Sequence, residues 1–136
     1  MQMTSATVLT AFIAWTMFLV IVMEVLRTRY LLTRAVAANE FKPDNSNLPT
    51  YMQRIARAHA NCVESFPVVG GLLVVAILID RTDVTDPLAP WLFVARLVQS
   101  FIHVISGNVI ASWLRFIAYA VQIAIAVRWS WVLLGS

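Results

Sequence analysis

The chain has 136 residues, of which 60% are hydrophobic and 12% charged, with a net charge of +3. A soluble domain is about a quarter charged, so this composition excludes an ordinary water-soluble enzyme and points to an integral membrane protein of one compact unit. The basic residues form no stripe interleaved with aromatics, so no nucleic-acid partner is expected. A single cysteine, Cys62, rules out an intrachain disulfide.

The first apolar run is "ATVLTAFIAWTMFLVIVMEV", Ala6 to Val25. It matches the ~20 residues that a spanning helix needs. The helix is expected to emerge through "LRTRYLLTRAVAA", giving a first span over 6–32. The N-terminus lacks the basic region and small-residue cleavage site of a signal peptide, so the run is expected to be retained. A polar loop follows, "NEFKPDNSNLPT", with Pro43 and Pro49 as breakers. The next apolar stretch, Phe66 to Ile79, has only 14 residues. A full span must therefore begin near Ala58, which gives 58–79 and draws His59, Asn61 and Glu64 to the membrane surface or below it, with Arg57 at the mouth. "DRTDVTDPLAP" reads as a loop. The third span, 88–106, opens at Pro87 and Pro90 with Trp91 at the interface. "SGN", residues 106–108, is a tight turn. The fourth span, 109–134, places Trp129 and Trp131 like an aromatic belt. The expected fold is an all-α integral membrane protein, a four-helix transmembrane bundle of up-down topology, as a single domain over 1–136.

Charge sets the orientation. Six basic residues surround the first loop: Arg27, Arg29, Arg34, Lys42, Arg54 and Arg57. The opposite side has two, Arg81 and Arg128, with Asp80, Asp83 and Asp86 beside Arg81. The positive-inside rule puts the first and third loops in the cytoplasm and both termini outside.

Ionisable groups inside a span are expensive and mark function or pair with one another. At about 100° per residue, Arg57, Asn61 and Glu64 share one face of the second span, with Arg54 near it. His59 points nearly opposite and needs a different neighbour. The third span aligns Arg96, Gln99, His103 and Ser106. The fourth aligns Arg115, Tyr119 and Gln122, with Arg115 ~9 Å into the helix. Three helices thus bring polar faces to one level, and only Arg96 lies deeper. Glu64 as a neutraliser of Arg57 and Arg96 is one reading. Yet Arg54, Arg57 and Arg115 outnumber Glu64. Excess guanidinium suits an anionic ligand with carboxylates, or a thiolate. The two histidines, His59 and His103, diverge, so no metal site is expected.

The segment "RIARAHANCVESFP", with its N-x-x-E and proline, resembles the signature of the MAPEG family, the membrane-associated proteins of eicosanoid and glutathione metabolism. The resemblance covers nearly the whole chain and looks closest to bacterial members, which implies a bacterial inner membrane. It implies four helices, a homotrimer, and glutathione as co-substrate bound between subunits near the cytoplasmic side. Arg57, Asn61 and Glu64 match glutathione-contacting positions, Glu64 receiving the ammonium and arginines the carboxylates. Arg54 matches the motif as well. "RFIAY" matches an Arg-x-x-x-Tyr pattern, which makes Arg115 the thiolate-stabilising catalytic residue and places Tyr119 in the same site. His103 falls where catalytic members carry a tyrosine, and Ser65 where a tyrosine often follows the glutamate.

The expected function is a glutathione S-transferase, with glutathione peroxidase activity as a variant, acting on a lipophilic electrophile or lipid hydroperoxide from the bilayer. The alternatives are a non-catalytic lipid-binding protein of the same fold and a structural subunit of a membrane complex.

Overall fold

A computed structural model describes residues 3–136. The described residues are all-helical, with α1 Ser5–Leu32, α2 Thr50–Leu78, α3 Thr82–Thr85, α4 Ala89–Ile105 and α5 Val109–Leu134. The sequence led us to expect four helices. The fifth is α3, a single turn of 4 residues within the acidic second loop. Hydropathy has no signal for it, because so short a turn carries no apolar periodicity.

Three of the helices, α1, α2 and α5, are long and apolar enough to cross a membrane. At 28, 29 and 26 residues each exceeds the ~20 that a bilayer core requires. The fourth long helix, α4, has 17 residues, or ~26 Å. Large apolar side chains such as Phe18, Leu78, Trp91, Ile110 and Trp131 point outward. That surface fits a lipid surround and not water.

Three of the predicted spans end within one residue of the observed helices. The caps explain this. Thr4 accepts a hydrogen bond from the Thr7 backbone N–H and starts α1. The Asn108 side chain accepts from Ala111 N–H at 2.8 Å and starts α5. Both relieve orphan donors of a first turn. The predicted second span began at 58, whereas α2 starts at Thr50, just after Pro49. Apolar content marks where the chain enters lipid, but the polar turns "TYMQRIAR" contain no breaker and are helical too. The first span ends where expected, but the rest of the emerging segment, "TRAVAA", is not helical. The helix ends at Leu32, and Arg34 takes a left-handed φ of 57°.

The core joins all four long helices through Phe12, Leu19, Leu73, Leu92 and Trp129. Within α2, Pro67 removes the donor for the Val63 carbonyl. A Cβ on Gly70 would come within 2.8 Å of the Phe66 ring. Glycine there lets Phe66 lie along the helix and meet Phe12 of α1, centroid to centroid 5.7 Å.

Two polar clasps fix the ends. The Ser5 backbone N–H donates to the Asp86 carboxylate at 2.7 Å, and the Ser5 hydroxyl bonds Asp86 and Thr85. This ties the start of α1 to the second loop. At the other end, Arg27 donates to Asn45 Oδ1 at 2.9 and 2.7 Å and to the carbonyls of Lys42 and Pro43. Asn45, buried at φ 56°, then donates to the Met52 carbonyl. Arg27 thus folds the first loop against the entry to α2. In that loop the Ser46 N–H donates to Asp44 and holds its carboxyl below the usual range.

Candidate functional site

A polar pocket of about 260 Å³ opens where the start of α2 meets the α4–α5 turn. Arg54, Arg57, His103 and Arg115 line it, together with Thr50, Gln53, Ser106 and Gly107. Arg54 donates to the Ile105 carbonyl at 3.3 Å, which satisfies an orphan acceptor in the last turn of α4. Its guanidinium lies beside Gly107, where an added Cβ would stand 3.6 Å from Nη2. Arg115 donates to His103 Nδ1 at 3.0 Å and to Ser112 Oγ at 2.9 Å. No carboxylate lines the pocket. Among the described residues the ion pairs are Arg27–Glu24 and Arg81–Asp83, both elsewhere. Three guanidiniums therefore face one small polar space without a protein counter-ion. That arrangement suits a ligand with anionic groups.

The other expected site residues are placed differently. Asn61 turns inward. Its Oδ1 accepts from Arg96 Nη1 and from Gln99 Nε2, the latter at 3.1 Å. Glu64 is exposed on the outer side of α2 and makes no hydrogen bond or ion pair among the described residues. Tyr119 is 40% exposed on the outside of α5. The split follows from helix geometry. Positions i, i+4 and i+7 spread over about 60°, and this stripe straddles the boundary between bundle interior and surface. In α2 it turns Asn61 inward and leaves Arg57 and Glu64 outside. In α5 it turns Gln122 inward and Tyr119 outward.

Arg96 is fully buried and forms a second polar centre. Besides Asn61 it donates to Ser65 Oγ, and its guanidinium lies 5.5 Å from the Phe12 ring centroid. Gln122 donates to Gln99 Oε1 at 2.8 Å, which carries the network into α5. Nearby, Trp15 donates to Ser100 Oγ at 3.0 Å, and Cys62 Sγ lies 3.6 Å from the same oxygen. These groups link all four long helices. Ser65 lies one turn after Asn61, so once Asn61 faces inward that spacing carries Ser65 to the same buried guanidinium.

His59 faces away from this side, as its angle suggested. It lines an apolar groove of about 470 Å³ between α1 and α2, with Met17, Val63, Phe66 and Pro67 among its walls.

Neither a search of curated proteins nor one of solved structures gave a significant match. The MAPEG family model matches residues 5–135, which spans every helix described above. With that coverage, and with long apolar helices that suit an integral membrane protein, the chain belongs to the MAPEG family, which includes glutathione transferases and related proteins.

Proposed function

We propose that the protein is a membrane-bound glutathione S-transferase that joins glutathione thiolate to lipophilic electrophiles, with lipid hydroperoxide reduction as a companion reaction. The observation that carries this reading is the pocket of three arginines and one histidine with no carboxylate. Glutathione brings two carboxylates, one ammonium and one thiol. Arg54 and Arg57 suit the carboxylates, because a guanidinium offers a planar fork that matches them. A free thiol ionises near ~8.5, and a neighbouring cation such as Arg115 raises the thiolate fraction at neutral pH. The thiolate then attacks the electrophilic carbon, a C–S bond forms, and the leaving group departs with its electron pair.

In this reading α4 is a fourth span, the first and third loops are cytoplasmic, and the pocket lies at the cytoplasmic surface of a bacterial inner membrane; the excess of basic residues around the first loop supports that orientation. The 260 Å³ volume is just under the ~300–1,000 Å³ of ordinary ligand pockets. A homotrimer would enlarge it between subunits. Outward-facing Glu64 and Tyr119 are then available to a site shared with the neighbouring copy, where Glu64 receives the ammonium. The apolar groove between α1 and α2 supports a lipophilic partner arriving from the bilayer.

The test is equilibrium binding of glutathione to the purified protein, followed by stopped-flow ultraviolet detection of thiolate. Saturable binding with a thiolate signal at neutral pH is the expected result. Saturable binding of fatty-acid ligands in the groove, with no glutathione binding, would favour the non-catalytic lipid-binding reading.

A further inference from the structure

The Arg115–His103 contact constrains where the histidine proton sits. An arginine side chain has five N–H donors and no acceptor. Arg115 Nη1 lies 3.0 Å from His103 Nδ1, so Nδ1 must accept. The ring is then neutral with its single proton on Nε2. The second Nη of Arg115 is held by Ser112 Oγ at 2.9 Å, so the guanidinium is gripped from both sides and cannot swing freely. His103 lines the pocket, and no described residue accepts a hydrogen bond from its Nε2.

We propose that His103 donates the hydrogen bond to the sulfur of the thiol substrate through Nε2–H, and that Arg115 is the positioning residue that fixes this tautomer. The assignment rests on the reading of the pocket as a thiol site. An N–H···S⁻ bond favours the ionised sulfur over the neutral thiol because charge-assisted hydrogen bonds are the stronger kind. The sulfhydryl proton leaves to bulk water and the ring keeps its own, so His103 acts as a fixed donor and takes up no proton. Arg54 and Arg57 face the same space from α2 and supply positive field and carboxylate contacts. His103 supplies direction. A neutral donor of defined geometry at the α4 terminus thus aims a single hydrogen bond at a soft anion beside the arginines.

The chain has two histidines, His59 and His103. Labelling with ¹⁵N-histidine therefore gives two sets of ring signals, and His59→Gln assigns them. In the ligand-free protein at neutral pH, His103 is expected to show a protonated Nε2 and a bare Nδ1. An Nδ1–H tautomer or a doubly protonated ring would overturn the proposal. Glutathione should then shift Nε2 more than Nδ1. Two substitutions separate the ring edges. His103→Gln keeps an amide N–H near the Nε2 position, and His103→Asn keeps polar atoms only near Nδ1. The thiolate signal should survive in part in His103→Gln and fall about tenfold or more in His103→Asn, with glutathione still bound in both. Equal signals in the two variants and the wild type would also overturn the proposal. If the wild type binds no glutathione, the thiol reading fails and the sulfur contact with it. The ring spectrum still decides the tautomer by itself.

Discussion

Replacing Asn61 by leucine separates a structural from a ligand-binding role for that residue. Leucine branches at the same atom as asparagine but carries no polar group, and the Asn61 amide oxygen receives two hydrogen bonds, from Arg96 and Gln99. A bond to a charged group contributes about 1.5–3 kcal/mol and a neutral one about 0.5–1.5, so the loss is about 2–4.5 kcal/mol. Interhelical hydrogen bonds within membranes average only about 0.6 kcal/mol, which sets a floor near ~1.2 for the pair. Arg96 is fully buried with no carboxylate beside it, so the upper figure is the one expected. Thermal unfolding in a mild detergent at a fixed scan rate is the assay, since such unfolding is often irreversible. A fall of roughly 5–20 °C corresponds to this range. The double variant Arg96→Met/Asn61→Leu should regain part of the loss, because it removes the uncompensated buried guanidinium, while Gln99 still lacks its acceptor. An Asn61→Leu protein within about 0.5 kcal/mol of wild type that had nonetheless lost glutathione binding would refute the internal brace and return Asn61 to the ligand.

Glu64→Gln should leave the melting temperature unchanged, since Glu64 has no partner within the described chain, and should weaken glutathione binding roughly ten- to a hundred-fold. A lowered melting temperature with intact binding would make Glu64 a helix brace instead. Arg115→Ala should lower turnover more than affinity and diminish the thiolate absorbance at neutral pH, because it removes both a charge and the restraint on His103; Arg115→Lys should recover only part, since an ammonium lacks the planar fork. Unchanged thiolate absorbance in Arg115→Ala would remove it from the site. In a Cys62→Ala background, Ser46→Cys should label from the cytoplasmic side and Asp83→Cys from the opposite side; the reverse pattern would invert the topology. Native mass spectrometry in mild detergents should give a trimer, and a persistent monomer would count against a shared site.

The sequence carried the helix limits at the end of α4 and the start of α5, where the tight turn "SGN" bounds both, and at the start of α1, where the apolar run begins. It did not carry the start of α2, because lipid entry and helix onset are separate physical events. The candidate site was legible as polar stripes and a cation excess. Which member of each stripe turned inward was not, because that choice depends on a rotation of about 40° set by packing against the other helices. Asn61 and Gln122 went inside; Glu64 and Tyr119 stayed out. Ser65 and Ser100 gave no signal by themselves, since a small hydroxyl in a helix is unremarkable until a buried guanidinium or indole needs an acceptor.

The burial of Arg96 also bears on how the chain enters the bilayer. Arg96 stands at the middle of α4, a helix of only 17 residues. On the insertion scale an arginine at the centre of a span costs about 2.5–3.5 kcal/mol, and so short a segment has little apolar length to offset it. Its acceptors, Asn61 and Ser65, belong to α2, which leaves the ribosome first. The turn to α5 is only three residues, Ser106 to Asn108. If α4 crosses the membrane as proposed, it is a poor solitary client for the insertion machinery and a better one as half of a helical hairpin with α5, packed against an α2 that supplies Asn61 and Ser65 as acceptors. A chain stalled after α4 should remain accessible at Arg96, and release of α5 should close that access.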